Sequence, residues 1–229
     1  MSKNKLVVLT GAGISAESGL RTFRDSDGLW EGHRVEDVAT PMAWARDPEM
    51  VLEFYNQRRR DILNASPNAA HLGLASLQDR FDVRIITQNV DDLHERAGSR
   101  SVMHLHGEIL KMRSSRNEGL IYPVIGDMIP GALAEDGAPL RPNIVWFHEE
   151  VPLITEAAKW AAEADIFAVI GTSLLVYPAA GLIDLVEPEA HIYIVDKKIP
   201  VIPAGLKYTK IEMVATDGVK EMIRQLHEH

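Results

Sequence analysis

The sequence predicts an α/β fold in which a mostly parallel sheet is covered on both faces, and three observations carry that prediction. Short runs of branched apolar residues recur at 6–9, 83–86, 166–170 and 192–195, and continuous runs of this length suit strands buried on both faces. Stretches with helical spacing lie between and after them, the alternation of crossover-connected parallel strands. A chain of 229 residues, 46% of them hydrophobic, can also bury one sizeable core and carry a smaller lobe besides.

In chain order, the strand at 6–9 runs into a glycine turn. A loop follows, then a helix over 48–64 and a second helix over 68–80 leading to the strand at 83–86. Helices over 152–164 and 178–186 flank the strand at 166–170. After the strand at 192–195, Val219, Met222, Ile223 and Leu226 repeat at i, i+3, i+4 and i+7, which marks a terminal amphipathic helix. Two stretches break the rhythm, 27–67 and the weakly periodic, Gly- and Pro-containing 112–142. They are expected to leave the sheet and pack together as a smaller lobe. The expected division is 1–26, 71–111 and 142–229 for the large domain and 27–70 with 112–141 for the small one.

Composition excludes several classes. A net charge of −9 argues against a nucleic-acid partner bound through a basic face. The chain has no cysteine, so disulfides, Cys-based zinc sites and iron-sulfur clusters are excluded. The apolar run at 6–9 is too short for a signal-peptide core or a membrane span, so no membrane partner and a cytoplasmic location are expected.

The strand at 6–9 leads directly into Gly11-x-Gly13-x-x-Ala16. In a dinucleotide-binding turn the first glycine permits the bend, the second admits a pyrophosphate, and the helix N-terminus favours its charge. A ligand-free connection has the same spacing. A hydride-transfer enzyme would next show a strand ending in an acidic residue about 20 positions on, but 21–30 reads as no strand.

Three further clusters sit where such sheets build ligand sites, at strand carboxyl ends. Gln88, Asn89 and Asp91 offer amides and a carboxylate to a carboxamide and ribose hydroxyls, although Asn89 or Asp91 could simply cap the next helix. Gly171, Thr172 and Ser173 could contact phosphate. Asp196 could accept both hydroxyls of a ribose, favouring NAD over NADP; turn chemistry is the alternative for both. His104-Leu105-His106-Gly107 puts two imidazoles on one face if extended, which allows a metal pair, a general base or a structural histidine. No third ligand has a recognised spacing, so no metal is expected. On the helix from 48, Tyr55 and Arg58 share a face with Val51, Phe54 and Ile62. Arg58 there needs an anionic or aromatic partner, unless it belongs to the solvated run Arg58-Arg59-Arg60.

Together these segments resemble the sirtuin family, whose GAGxSxxSGxxxFR, TQNxDxLHxxAG, HG and GTSLxVxPA segments occur here in order at 11–24, 87–98, 106–107 and 171–179. The resemblance implies a Rossmann-like domain with a small domain of two insertions, and acyl-lysine proteins or peptides as partners that meet NAD between the two. It implies release of nicotinamide and O-acyl-ADP-ribose through an alkylimidate, with His106 as general base. It places Gln88, Asn89 and Asp91 at the nicotinamide ribose and carboxamide, and Ala12, Phe23 and Arg24 over the reacting ribose. Gly11, Gly13, Gly171, Thr172, Ser173 and Asp196 fall to the remainder of NAD. Residues 143–147 resemble the strand that pairs with substrate backbone, with Val145, Trp146 and Phe147 along the acyl-lysine stem. Tyr55 and Arg58 coincide with the Tyr-x-x-Arg pair of the class that prefers succinyl and malonyl groups, which implies desuccinylase or demalonylase activity above deacetylase activity. Mono-ADP-ribosyl transfer and a non-catalytic NAD or ADP-ribose sensor are the competing functions.

The chain departs from the family at Ser114, where the first of four zinc cysteines is expected, so zinc is not predicted. The lobe is expected to hold by packing through Leu120, Ile121, Tyr122, Val124, Ile125, Met128, Ile129 and Leu133. His148 stands where glycine is common, and Asp196 where Asn is more usual.

Overall fold

A computed structural model describes residues 3–21, 29–30, 33–202 and 205–228. From the amino end come β1 (Lys5–Thr10), the two-residue strands β2 (Leu29–Trp30) and β3 (His33–Arg34), then helices α1 (Val35–Val38), α2 (Pro41–Arg46), α3 (Pro48–Asn64) and α4 (Ala69–Ser76). Next are β4 (Asp82–Thr87), α5 (Leu93–Arg96), β5 (Val102–His104), β6 (Gly107–Ser114), β7 (Ile121–Pro123) and β8 (Leu140–Ile144). The chain closes with α6 (Ile154–Ala162), β9 (Ile166–Ile170), β10 (His191–Val195), β11 (Tyr208–Ile211) and α7 (Ala215–Glu228).

Six parallel strands form the main sheet in the order β11-β10-β9-β1-β4-β5. The four apolar runs are its four central strands. Because side chains alternate across a strand, Leu6 and Val8 of β1 enter one core with Leu74 of α4 and Val219, Met222 and Leu226 of α7. Val7 and Leu9 enter the other, with Ala157 and Ala161 of α6. The stretch expected as a helix over 178–186 is a seven-residue 3-10 helix, Ala179–Leu185. The carboxylate of Glu17 caps the last helix, accepting from Thr216 N at 3.0 Å and from Thr216 Oγ1 at 2.7 Å.

Helix α3 starts where Asp47 accepts from Met50 N at 3.0 Å ahead of Pro48, and Pro is preformed for a first helical turn. Its inner face packs a third core with Ile109, Ile144 and Trp146. In the second insertion β6, β7 and β8 make a three-stranded antiparallel sheet in the order β7-β6-β8.

The apolar packing expected of this lobe is corrected in part. Val124 and Met128 are buried against Leu52, but Ile121, Ile125, Ile129 and Leu133 are exposed. Polar bonds carry much of the junction instead. Asn56 donates Nδ2 to Met128 O at 3.0 Å and accepts Met128 N at 2.8 Å, while buried Arg59 donates to Ile109 O at 2.9 Å and Gly126 O at 3.3 Å. Ser114 Oγ accepts from Arg116 N and Asn117 N, each at 3.1 Å, and donates to Asp136 at 2.7 Å. Among the described residues no helix is long and apolar enough to cross a membrane.

Candidate active site

The carboxyl ends of β1 and β9 lie where the strand order reverses, the place at which open α/β sheets bind ligands. The turns that leave these strands interlock. Gly11 N donates to Ile170 O at 3.1 Å and Gly13 N to Gly171 O at 2.8 Å. A Cβ on Gly11 would lie 2.7 Å from Thr172 Cβ and one on Gly13 2.7 Å from Gly171 Cα, while Gly171 itself has a φ of +64°. The glycines are thus needed first to admit one another. Ala12 stands half-buried between them.

The loop after β4 faces this turn. Gln88 donates Nε2 to Thr172 Oγ1 at 3.0 Å, and Asn89 donates Nδ2 to Gly11 O and Ser15 Oγ, each at 3.2 Å. Asp91 accepts from Ser15 Oγ at 3.0 Å and from Leu93 N at 3.2 Å, so it belongs to the cluster and also takes the first N–H of α5, whose N-cap position is Asp92. Burial pushes its carboxyl above the usual range, against the bonds from Leu93 and Ser15. Ser173 is half-buried beside Thr172, and Asp196 is buried at the end of β10, where it accepts from Lys198 N at 3.0 Å.

The extended segment expected to align His104 and His106 ends at His104, and 105–106 form a turn. The imidazoles bond successive carbonyls: His104 Nδ1 lies 3.1 Å from Asn89 O and His106 Nδ1 3.1 Å from Gln88 O. Donation from Nδ1 leaves Nε2 of His106 as its basic nitrogen. Burial lowers the pKa of His106, the Gln88 carbonyl acting the other way. The ring is therefore neutral at pH 7, as a base must be. Among the described residues no group of three or more His, Asp or Glu is placed to hold a metal ion.

Ser15, inside the glycine turn, joins Asn89 to Asp91. His71 lies behind it, with Nε2 3.5 Å from Ser15 Oγ and Nδ1 accepting from Asn68 N at 3.3 Å. The signal for His71 was its place three residues after the cap Asn68, the spacing of a capping box. Buried His94 reaches Thr10 Oγ1 at 3.1 Å.

On α3, Tyr55 and Arg58 are both buried, at 1% and 7% exposure. Arg58 lines a cavity of about 360 Å³ with His33, Met50, Glu53, Phe54 and Gln57. The Tyr55 hydroxyl accepts from Trp146 Nε1 at 3.0 Å, and burial drives its pKa strongly upward. Trp146 is itself clamped: the Arg141 guanidinium lies 3.3 Å from its ring centroid, and its backbone N donates to Glu149 at 2.8 Å. The strand expected over 143–147 ends at Ile144. Beyond it, Val145 N donates to His106 O at 2.9 Å and Phe147 N to Ala39 O at 3.0 Å, so irregular backbone carries Val145, Trp146 and Phe147. His148 has a φ of +72°, the left-handed region that favours glycine. Phe23 and Arg24 lie outside the described residues.

The model of the Sir2 family matches residues 11–178. A Helicobacter pylori protein named NAD-dependent protein deacylase is 54% identical over 193 residues, covering 84% of each chain. A Bacteroides thetaiotaomicron protein of the same name is 48% identical over 223 residues, covering 95% of each. A crystal structure described as a Sir2 homologue in complex with NAD superposes with a TM-score of 0.87 at 38% identity, over 99% of this chain and 90% of that one. Four motifs in order, the parallel sheet with its antiparallel lobe, and similarity that runs nearly end to end agree, and the chain belongs to the Sir2 family.

Proposed function

We propose that this Sir2-family enzyme, an NAD-dependent protein deacylase, prefers lysine acyl groups that end in a carboxylate, succinyl and malonyl, over acetyl. Arg58 carries the proposal: it lies on the buried face of α3 and lines a cavity together with the apolar Met50 and Phe54 and the polar His33, Glu53 and Gln57. A guanidinium can take a terminal carboxylate in two parallel hydrogen bonds, whereas an acetyl methyl offers it none.

On this reading 27–70 and 112–141 form the small lobe that supplies Tyr55 and Arg58, and the large domain, 1–26 with 71–111 and 142–229, supplies the rest. The amides of Gln88 and Asn89 and the carboxylate of Asp91 suit the carboxamide and nicotinamide ribose. Gly11, Ala12, Gly13, Gly171, Thr172 and Ser173 take the phosphates and Asp196 the adenosine ribose, and the family resemblance assigns Phe23 and Arg24, outside the described residues, to the reacting ribose. Val145, Trp146 and Phe147 flank the acyl-lysine stem of a protein or peptide. When bound, NAD supplies a ribose carbon that parts from nicotinamide and takes the acyl oxygen. His106, through Nε2, takes the proton of a ribose hydroxyl.

The test is incubation of the protein with NAD and matched acetyl, succinyl and malonyl lysine peptides, read by mass spectrometry. Acidic acyl peptides are expected to lose their acyl group faster. Arg58→Met is expected to slow desuccinylation about 30-fold, the loss of one charge-assisted pair, with little effect on deacetylation. Equal losses on both substrates would remove Arg58 from the specificity role, and no acyl loss with no nicotinamide would defeat the deacylase reading itself.

A further inference from the structure

Both ring nitrogens of His104 face acceptors. Nδ1 lies 3.1 Å from Asn89 O and Nε2 2.8 Å from Glu95 Oε1. A carbonyl and an ionised carboxylate can only accept, so both contacts are hydrogen bonds only when both nitrogens carry protons. The geometry therefore asks for an imidazolium at His104, whereas at His106, bonded to one carbonyl, a single ring proton suffices.

The surroundings sustain that charge. The His104 side chain is 8% exposed, while the Glu95 carboxylate it meets is 41% exposed, so the imidazole is desolvated and its partner stays in contact with water. Glu95 and His94 face it from α5, Asp91 from the preceding loop, and Glu108 from β6, with Lys111 held 2.6 Å from Glu108. Burial alone would lower the pKa of His104. The hydrogen bonds to Glu95 and Asn89 and the charges of Glu95 and Glu108 outweigh it and raise the value. Glu95 is held low in turn, its burial outweighed by the bond and charge of His104.

The carbonyl that His104 holds belongs to Asn89, whose side chain reaches Gly11 O and Ser15 Oγ, and Asp91 follows two residues later. We propose, on the reading that the 88–91 loop binds NAD, that His104 is a positioning residue whose imidazolium, anchored by Glu95, holds Asn89 and Asp91 in place for NAD. Loss of that proton loosens NAD and leaves the base, His106, in place. The pair thus ties affinity for the co-substrate to pH through a residue that does not touch it.

The test measures KM for NAD and kcat from about pH 6 to pH 9, a span that brackets the ordinary imidazole value on its alkaline side. In the wild-type protein KM for NAD is expected to rise about ten-fold with pH as one charge-assisted bond is lost, with kcat changing less than about two-fold. Glu95→Gln is expected to move the midpoint of that rise to lower pH. His104→Gln is expected to give the high KM at every pH. Nitrogen chemical shifts of His104 in the full chain are expected to report imidazolium at pH 7, a readout that needs no activity and no variant. A neutral His104 at pH 7 would overturn the proposal. So would a flat KM in the wild type and in His104→Gln while Asn89→Ala raises it, and that result would leave the loop's role in NAD binding standing. Indifference of KM to Asn89→Ala would overturn that role and the proposal together.

Discussion

Gly13 and Gly171 approach so closely that a side chain on either meets the backbone of the other: a Cβ on Gly171 would lie 2.6 Å from Gly13 C and 2.4 Å from Ile14 N. Two penalties therefore fall on Gly171→Ala, the left-handed φ of +64° and the overlap. Together they amount to about 3 kcal/mol of lost stability. Gly19→Ala shares only the first, because its φ is +90° but nothing lies within 4 Å of its Cβ, and about 1 kcal/mol is expected. Urea unfolding of the two variants checks the difference, and equal losses would count against the interlock.

Activity should hold to lower pH than an ordinary histidine base permits. Burial lowers the pKa of His106, and a base works only when deprotonated. The acid limb of kcat/KM is therefore expected below about pH 6.5, the unperturbed imidazole value. His106→Ala should slow turnover by about a hundred-fold or more. A pH profile with saturating NAD reads both; an acid limb above the ordinary value would contradict the assignment.

Glu149 should make the fold sensitive to acid. It accepts from Arg141 at 2.6 and 3.0 Å and from Trp146 N at 2.8 Å. Burial raises its pKa, but these bonds and the charges of Arg141 and Arg113 outweigh it and hold the value below the usual range. A carboxyl lowered by folding stabilises above its unfolded pKa and loses that contribution as pH falls through the folded value. Glu149→Gln is expected to cost about 2–3 kcal/mol at pH 7. The gap from wild type should narrow below about pH 4.3, as thermal unfolding across pH would register.

Asn56 closes both bonds of one peptide unit, the N–H and C=O of Met128. Asn56→Ala leaves that buried pair without its partner and is expected to cost about 2 kcal/mol or more. Hydrogen exchange should show the loss concentrated at 126–129. Uniform acceleration across the main sheet would mean that the bond is not local to the lobe.

The central sheet was legible because four strands buried on both faces must be apolar along their whole length. β5 and β11 escaped because edge strands need not be: Tyr208 and Lys210 are exposed. The lobe sheet was hidden for a different reason, since β6 to β8 are held to α3 by Asn56 and Arg59, and hydrogen bonds leave no periodicity in a sequence. At the site, motif order pointed to the segments 11–13, 88–91 and 171–172 that the fold brings together, but not to the bonds between them. That Gly11 and Gly13 serve Gly171, or that Ser15 joins Asn89 to Asp91, depends on residues far apart in sequence. The pairing of Tyr55 with Trp146 Nε1 is of the same kind.

The placement of β1 sets an order on how the chain can mature as it is synthesised. Its neighbours are β4 on one side and β9 on the other, and the turn that follows it closes on Gly171. The carboxylate of Glu17, just past that turn, waits for Thr216. The earliest-made segment of the site is therefore the last to be completed. A growing chain has no finished glycine turn until almost all of it has left the ribosome, and truncation before residue 216 removes a support from the opposite end of the sequence.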